Sequence, residues 1–320
     1  MKPAPPVPPL PPALRPGDRV QLVAASSALD SDTRLEAGIR ILRSWGLDVE
    51  TGAAPLVGRR WGYLAGRDAE RGEDLTRRGP QEQPAPLLAC VRGGWGAARL
   101  LPEPSQPVPP WLDPNTGPQW LLGFSDVTSL LWARCARGWT GGVHGPLVTT
   151  LSSEPSWSQQ RLRDLLFGQP LAPLEGQGWV GGVGEGPLLV ANLTVATHLL
   201  GSAHLPDLRG AILVLEDVGE APYRLERMLT HWRLCGALGQ LAGLGLGTFS
   251  GCVDKDRADH APETFFTAEQ VLRERTADLG LPVVAQLPVG HVPGNAALPL
   301  GTWARLDGDR GRLDLALTWG

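Results

Sequence analysis

The sequence lacks several features that would point to a secreted, membrane or nucleic-acid-binding protein. It has only four cysteines, and none of them forms the C-x-x-C pair that holds zinc or carries out redox exchange. We therefore expect reduced thiols at Cys90, Cys135, Cys235 and Cys252. No apolar run is long enough to span a bilayer. Because 29 Lys and Arg nearly balance 33 Asp and Glu without a run of like charge, neither nucleic acid nor a membrane is an expected partner.

Signals for export and for cofactor binding are also missing. The N-terminus is so rich in proline that it cannot form the helical apolar segment of a secretory signal. We predict that residues 1–14 form an exposed, disordered tail of polyproline character and that the protein is cytoplasmic. The Gly-rich stretch at 182–186 lacks G-x-G-x-x-G spacing, no G-x-x-x-x-G-K-[ST] loop occurs, and the histidines have no i, i+4 partners. No cofactor and no metal site are therefore predicted.

The sequence does contain a regular alternation of apolar strands and amphipathic helices. Its 320 residues, with an apolar fraction of 42%, are enough for two modest domains. Strands are predicted at 19–25, 47–50, 87–91, 120–123 and 211–215, and helices at 33–45, 68–78, 159–167, 194–200, 223–234 and 268–279. This alternation predicts an α/β fold with an N-terminal open, mostly parallel sheet flanked by helices. We expect an N-terminal domain at 15–150, a linker region at 151–186 and a second α/β domain at 187–320.

The segment GFSDVT at residues 123–128 places a serine where a predicted strand gives way to a helix. At such a turn the hydroxyl of Ser125 projects above the strand ends, and the N–H of Asp126 can face an oxyanion. The segment differs from the G-x-S-x-G elbow of α/β-hydrolases, because Val127 stands where the second glycine would be. A Ser-Asp pair that opens a helix is also typical of a plain N-cap, so both interpretations of Ser125 stay open.

A nucleophilic site also needs an imidazole base and a carboxylate that orients it. His291 follows Gly290 after a short apolar run, whereas His144 comes close behind the serine helix and is the main alternative. Glu216 follows the most apolar predicted strand, and ligands of open α/β sheets gather at the C-terminal ends of strands. A solvated strand end is the alternative interpretation of Glu216.

Eight short motifs, taken in order, carry a resemblance that extends over nearly the whole chain after the proline-rich tail. They are RPGD at 15–18, RGGWGAARLL at 92–101, GFSDVT at 123–128, HGP at 144–146, NLT at 192–194, LEDV at 215–218, YRLERML at 223–229 and GH at 290–291. Together they resemble the LD-carboxypeptidase family, which includes the muramoyltetrapeptide carboxypeptidases and the microcin C immunity peptidases.

The resemblance implies a serine peptidase in which Ser125 is the nucleophile, Glu216 the orienting acid and His291 the general base. It also implies an oxyanion hole formed by the backbone N–H groups of Gly94 and Asp126 and an active site at the interface of the two domains. A small peptide substrate and a homodimer are further implications. Family members commonly have tyrosine where this chain has Trp95 and two glycines in place of Val190 and Ala191. These departures concern the shape of the pocket more than its chemistry.

Two activities of that family are open to this chain. The leading hypothesis is hydrolysis of the L,D amide bond to a terminal D-alanine in murein-derived tetrapeptides. The alternative is a detoxifying amidase that cleaves aminoacyl-nucleotide antibiotics of the microcin C type, for which Trp95 offers a stacking face. A non-catalytic α/β binding protein is a hypothesis of another class.

Either Arg92 or Arg227 is predicted to bind the substrate carboxylate. Arg227 lies seven residues after Glu220 and four after Tyr223, a spacing that places the three near one helical face, so an ion pair of Arg227 with Glu220 or Glu226 is the alternative interpretation. His144 is expected to support the Ser125 turn and to shape the substrate pocket.

Overall fold

The computed structural model describes residues 9–49, 56–76, 83–254 and 265–320, and two β-sheets organise this part of the chain. The first sheet has six strands and the second has eight. Helices accompany both sheets, because each amphipathic helix must bury its apolar face against an apolar strand layer. The predicted α/β class is confirmed.

The first sheet is mostly parallel. Its strands are β1 (Arg19–Val23), β2 (Asp48–Val49), β3 (Leu87–Cys90), β4 (Trp120–Gly123), β5 (Gly142–His144) and β12 (Leu298–Pro299), in the order β12-β5-β4-β3-β1-β2. β1 to β5 run parallel, and β12 is antiparallel to β5. β3 and β4 are buried along their whole length, as expected for parallel strands covered on both faces. Because β12 comes from the far end of the chain, the C-terminal half completes the edge of this sheet.

Several helices of the described ranges connect or follow these strands. They are α1 (Thr33–Ser44), α2 (Asp68–Thr76), α3 (Thr128–Ala136), α4 (Val148–Leu151) and α5 (Ser156–Leu166). α1 buries Leu35, Ile39 and Leu42, which share one helical face. It approaches α4 so closely that a Cβ on Gly38 would collide with the main-chain oxygen of Val148. Only glycine permits that approach.

The second sheet has a parallel centre and antiparallel flanks. Its strands are β6 (Leu174–Glu175), β7 (Gln177–Val180), β8 (Val183–Asn192), β9 (Ile212–Val218), β10 (Gly243–Ser250), β11 (Val283–Ala285), β13 (Trp303–Asp307) and β14 (Arg312–Ala316), in the order β6-β14-β13-β8-β9-β10-β11-β7. β8 to β11 are parallel, and the strands on either side pair antiparallel. Helices α6 (Leu193–Leu199), α7 (Pro222–Leu234) and α8 (Ala268–Thr276) belong to this half.

The two halves pack together through buried tryptophans. Nε1 of Trp132, on α3, donates a hydrogen bond of 2.9 Å to the main-chain oxygen of Val190, on β8. The ring of Trp132 also meets that of Trp232, on α7, edge to face at 6.3 Å, and both rings are fully buried. Residues at the C-terminal ends of strands from both sheets line one cavity.

The structure differs from the sequence prediction in several places. β9 extends to Val218, so Glu216 and Asp217 belong to the strand and do not follow it. The predicted linker at 151–186 contains strands β6 and β7 besides α5, which corresponds to the helix predicted at 159–167. Strand β10 has no predicted counterpart, because its glycines hide the apolar pattern of a strand.

A further difference concerns the predicted tail at 1–14, of which residues 1–8 lie outside the described residues. Leu10 and Leu14 are buried, and the N–H of Leu10 donates to the main-chain oxygen of Thr318 at 2.9 Å. The expectation of an exposed tail is therefore wrong for residues 9–14, since two leucines gain by burying their side chains.

Candidate active site

Ser125 lies at the turn between β4 and α3. Its φ of 63° falls in the left-handed region, which a residue other than glycine seldom adopts. Ser125 is the first residue of a 3₁₀ turn, Ser125–Val127, which leads into α3. Gly123 makes this turn possible, because a Cβ there would lie 2.8 Å from Cγ1 of Val127. Backbone strain of this kind is concentrated at functional sites.

Hydrogen bonds connect Ser125 to a buried carboxylate. Nε2 of His291 lies 3.1 Å from Oγ of Ser125, and Nδ1 of His291 lies 2.6 Å from Oε2 of Glu216. Burial raises the pKa of the Glu216 carboxyl, and the hydrogen bond with His291 opposes that rise. When Glu216 is ionised, Nδ1 carries the proton and donates it, which leaves Nε2 to accept the Ser125 hydroxyl. Such an arrangement can make a serine hydroxyl nucleophilic.

Polar neighbours at the ends of β8 and β9 orient Glu216. Nδ2 of Asn192 donates to Oε1 of Glu216 at 3.3 Å and to Oδ1 of Asp217 at 3.0 Å. Asp217 also accepts hydrogen bonds from the N–H and the hydroxyl of Thr194, at 2.9 and 2.8 Å. The side chain of Asn192 caps α6 by accepting the N–H of Val195. Sequence reasoning found Asn192 only as part of the NLT motif and gave it no role, since this network joins residues that are far apart in the chain.

His291 lies on a loop, residues 286–297, between β11 and β12. Gly290 has a φ of 128°, and a Cβ there would collide with Oγ1 of Thr248 and would lie 2.9 Å from Oε2 of Glu216. The ring of Phe124 packs against that of His291, with 4.7 Å between their centroids. A glycine before His291 is therefore needed to bring the imidazole against the acid.

The turn at Gly93 and Gly94 passes beside the serine. A Cβ on Gly93 would lie 2.9 Å from Cβ of Ser125, and Gly94 has a φ of 106°. Oδ2 of Asp126 accepts the N–H of Ala97 at 2.8 Å and so links this turn to the serine turn. Asp126 is the second residue of its 3₁₀ turn, where an N–H has no acceptor within the helix. That N–H is available to an oxyanion.

A cavity of about 870 Å³ opens beside these groups and is lined from both halves of the protein. We call its lining residues between Leu29 and Thr150 the first wall, and those between Asn192 and His291 the second wall. Ser125 and the Gly-Gly turn belong to the first wall. His291 belongs to the second wall, behind which Glu216 is buried.

The first wall contains two arginines, Arg34 and Arg92. Arg92 donates to the main-chain oxygen of Ala28 and, at 2.8 Å, to the carboxylate of Asp30. Arg34 is exposed on the first turn of α1 and has no hydrogen bond or ion pair with the part of the chain that the structure describes. Sequence reasoning missed Arg34, because a polar residue on the first turn of a helix carries no signal of a binding site.

Two other predicted substrate contacts need correction. Arg227 does not line the cavity, and its guanidinium lies 5.4 Å over the ring of Tyr223. α7 begins at Pro222, after Glu220, so the helical spacing that grouped Arg227 with Glu220 does not apply. His144 is fully buried at the end of β5 and also lies outside the cavity lining.

His144 supports the serine turn indirectly. Its ring packs edge to face against Phe124, with 5.6 Å between centroids, and burial lowers its pKa to about 3. His144 is therefore neutral at physiological pH. Trp95, in contrast, lines the cavity with 59% of its surface exposed and meets Tyr63 edge to face at 6.1 Å.

Within the described ranges, no group of three or more His, Cys, Asp or Glu could hold a metal ion. Among the same residues, no helix is both long and apolar enough to cross a membrane. All four cysteines are unpaired.

Known proteins resemble both halves of this chain. Residues 20–145 match the LD-carboxypeptidase N-terminal domain, and residues 185–306 match the LD-carboxypeptidase C-terminal domain. A Synechocystis protein provisionally named a carboxypeptidase is 47% identical over 302 residues, which cover 94% of this chain and 95% of that protein. The murein tetrapeptide carboxypeptidase of Pseudomonas aeruginosa is 36% identical over 312 residues, which cover 91% of this chain and 94% of that protein.

Solved structures agree with these matches. The muramoyltetrapeptide carboxypeptidase of Oxalobacter formigenes superimposes with a TM-score of 0.79 and 26% identity, covering 94% of this chain and all of that one. The microcin C7 self-immunity protein MccF has the same fold, with a TM-score of 0.79 and 20% identity over 98% of this chain and 99% of its own. The chain therefore belongs to the LD-carboxypeptidase family and is a hydrolase, a serine peptidase that acts as a carboxypeptidase.

Proposed function

We propose that this enzyme removes a terminal D-alanine from murein-derived tetrapeptides and that Ser125, His291 and Glu216 carry out the hydrolysis. One observation carries the proposal, the hydrogen-bond chain from Ser125 through His291 to Glu216, with distances of 3.1 and 2.6 Å. His291 lies 166 residues beyond Ser125 in the sequence and 75 beyond Glu216. Three distant segments thus converge on the geometry that serine hydrolysis requires.

In the proposed reaction, Nε2 of His291 takes the proton of the Ser125 hydroxyl as its oxygen attacks the carbonyl carbon of the amide bond. Glu216 orients the ring and stabilises the imidazolium that forms. The N–H groups of Gly94 and Asp126 donate to the oxyanion of the tetrahedral intermediate. His291 then gives its proton to the departing amine of D-alanine, and water hydrolyses the acyl-enzyme through the same two proton transfers.

Sequence similarity and the two arginines of the first wall support a murein tetrapeptide as substrate. The Pseudomonas relative, named a murein tetrapeptide carboxypeptidase, is 36% identical. A carboxypeptidase must recognise the free carboxylate at the chain end, for which a guanidinium is the suitable donor. Arg34 and Arg92 both line the first wall, and Arg34 has no competing carboxylate among the described residues. The volume of about 870 Å³ is of the size that encloses a small ligand.

A second candidate function is hydrolysis of an aminoacyl nucleotide. The exposed ring of Trp95 at the cavity favours it, since an aromatic face can stack on a nucleobase. One solved structure of MccF, which shares the fold, is a complex with glutamyl sulfamoyl guanosine. A non-catalytic binding protein of the same fold would keep the cavity but would turn over neither compound.

The test is a mass-spectrometric assay of the purified protein on a murein tetrapeptide and on a microcin-type aminoacyl nucleotide. We expect release of D-alanine from the tetrapeptide, and we expect Ser125→Ala to lower kcat by several powers of ten while the protein stays folded. Ser202→Ala, at an exposed serine outside the cavity lining, is the matched control and should leave kcat unchanged. Cleavage of the nucleotide alone would select the second function. More than about a tenth of wild-type turnover in Ser125→Ala would reject the nucleophile.

A further inference from the structure

The loop that carries His291 must be held firmly, because the ring has to meet Ser125 and Glu216 at hydrogen-bonding distances. Residues 286–297 form neither helix nor strand, but backbone hydrogen bonds with β10 extend into the first part of the loop. The N–H of Leu287 donates to the main-chain oxygen of Leu246 at 3.1 Å, and the main-chain oxygen of Val289 accepts the N–H of Thr248 at 2.8 Å. Gly290 and Gly294 both have positive φ values, of 128° and 102°. Glycine loses more conformational freedom on folding than any other residue, and it adopts backbone angles that a Cβ would hinder. The glycine-containing part of the loop beyond Val289 therefore depends on side-chain acceptors for its position.

The carboxylate of Glu154 supplies such contacts. Its Oε2 accepts the N–H of Gly294 at 2.7 Å, the N–H of Asn295 at 3.0 Å and the hydroxyl of Ser158 at 3.1 Å. Glu154 follows α4 and precedes α5, so this carboxylate holds backbone that lies 140 residues further along the chain. It is 9% exposed. Hydrogen bonds that involve a charged acceptor are about twice as strong as neutral ones.

Asn295 passes this restraint on to the base. Its Oδ1 accepts the N–H of Gly290 at 2.9 Å, directly before His291, while its own N–H donates to Glu154. Its main-chain oxygen lies 2.9 Å from the hydroxyl of Ser158. On the other side of the loop, a Cβ on Gly294 would lie 2.8 Å from the ring of Trp157, so the loop is packed directly on α5.

Two ordinary roles for Glu154 do not account for these contacts. A helix cap would accept N–H groups of the first turn of α5, but both N–H groups bound by Glu154 belong to the His291 loop. An ion pair would need a cation, and the described residues provide none within salt-bridge distance of Glu154. Every hydrogen bond that the carboxylate accepts comes from the loop or from Ser158 beneath it.

We propose that Glu154 is a positioning residue, which sets His291 against Ser125 by binding the loop through Gly294 and Asn295. The inference rests on the proposed role of His291 as the base. Glu154 touches neither substrate nor the reacting atoms. A displacement of the His291 ring by about 1 Å is enough to lower the rate on the order of 100-fold. Loss of the hydrogen bonds from Gly294 and Asn295 to Glu154 should therefore lower kcat measurably.

The test is Glu154→Gln, an isosteric change that removes the charge and one of the two acceptor oxygens. We expect kcat to fall by about 10- to 100-fold with KM within about twofold, at a temperature where circular dichroism shows the variant folded. Asp307→Asn is the matched control, because Asp307 is also a largely buried carboxylate that accepts a backbone N–H, from Arg310, but in the hairpin between β13 and β14. It should leave kcat unchanged.

A spectroscopic measurement separates positioning from simple loss of stability. The proton between Nδ1 of His291 and Glu216 should give a downfield ¹H resonance in the wild type, and this resonance should shift or broaden in Glu154→Gln but persist in Asp307→Asn. Asn295→Ala should lower kcat similarly, and the double variant with Glu154→Gln should lose less than the product of the two single losses, since both act through one loop.

Three outcomes would overturn the inference: an unchanged kcat in folded Glu154→Gln, an effect on KM alone, or multiplicative losses in the double variant. They are distinguishable from failure of the proposed function. If His291→Gln and Ser125→Ala abolish turnover while Glu154→Gln does not, only the positioning role falls. If His291→Gln stays active, the assignment of the base itself is wrong.

Discussion

The two walls of the cavity hold their reactive groups in different ways. On the first wall, Ser125 is set by local backbone, namely a strand end, a left-handed residue and a 3₁₀ turn within a few positions of sequence. On the second wall, His291 lies on an irregular loop and meets Glu216, 75 residues away. The same loop is bound by Glu154, which lies 140 residues before Gly294. The position of Ser125, the proposed nucleophile, is therefore encoded locally, whereas that of His291, the proposed base, depends on tertiary contacts. Substitutions on the two walls should therefore change kcat and stability in different ways.

The largest expected effect on the second wall is that of Glu216→Gln. The amide keeps the size of the side chain, but it cannot stabilise an imidazolium and it favours the wrong tautomer of His291. We expect kcat to fall by on the order of 10³- to 10⁴-fold, with the fold intact by circular dichroism. Asp217→Asn is the matched control on the same strand, since Asp217 bonds Asn192 and Thr194 but not His291. A loss of less than tenfold in Glu216→Gln, or equal losses in both variants, would contradict the assignment of the acid.

The same contrast explains what could be predicted from the sequence. The strand before Ser125 and the helix after it follow from apolar periodicity, and a serine at their junction is visible as a motif. His291 and Glu216 were identifiable as candidates at strand ends and became specific only through the family resemblance. Arg34, Asn192 and Glu154 could not be singled out, because their partners or their cavity come from distant segments. Arg227 was misplaced because helical spacing was counted from Glu220, which precedes α7.

Glycine substitutions provide a smaller test of the two walls. In Gly93→Ala the new methyl group would lie 2.9 Å from Cβ of Ser125, so we expect a fall in kcat of about 100-fold with little change in Tm. In Gly290→Ala the positive φ and the collision with Thr248 should lower both kcat and stability, the latter by about 1–3 kcal/mol. Steady-state kinetics and thermal unfolding measure the two effects.

Gly201→Ala separates backbone strain from collision. Gly201 has a φ of 80°, and no atom lies within 4 Å of the position that a Cβ would take there. We expect backbone strain in Gly201→Ala to lower the free energy of unfolding by about 1 kcal/mol and kcat to stay unchanged. If Gly290→Ala behaved like Gly201→Ala, the close fit of the base against the acid would not matter for turnover.

A still smaller effect is expected at the arginines of the first wall. Lysine keeps the charge but loses the bidentate geometry, so replacing the true anchor should weaken activity on a free-acid tetrapeptide by about tenfold. Activity on the C-terminal amide should change much less, because the amide lacks the charge. We expect this split for Arg34→Lys or Arg92→Lys and not for Arg227→Lys, which is the control outside the cavity. Equal losses on both substrates for both cavity arginines would show that neither binds the carboxylate.

The smallest expected effect is a pH dependence of stability that arises on the first wall, at Asp126. Burial raises the pKa of this carboxyl, although hydrogen bonds from Ser26 and from the N–H of Ala97 oppose the rise. The folded protein therefore holds this proton more tightly than the unfolded chain does. The stabilisation that the protonated Asp126 gives to the folded protein is fully present below the unfolded pKa, about 3.9, and is lost as pH rises through the higher pKa of the folded state.

The variant Asp126→Asn removes this titration and keeps an acceptor for the N–H of Ala97. Urea unfolding at a series of pH values should show the wild type losing stability relative to Asp126→Asn as pH rises from about 4 to 7. A difference that stays flat, or that grows in favour of the wild type, would mean that the Asp126 carboxylate is better stabilised in the folded protein than its burial implies.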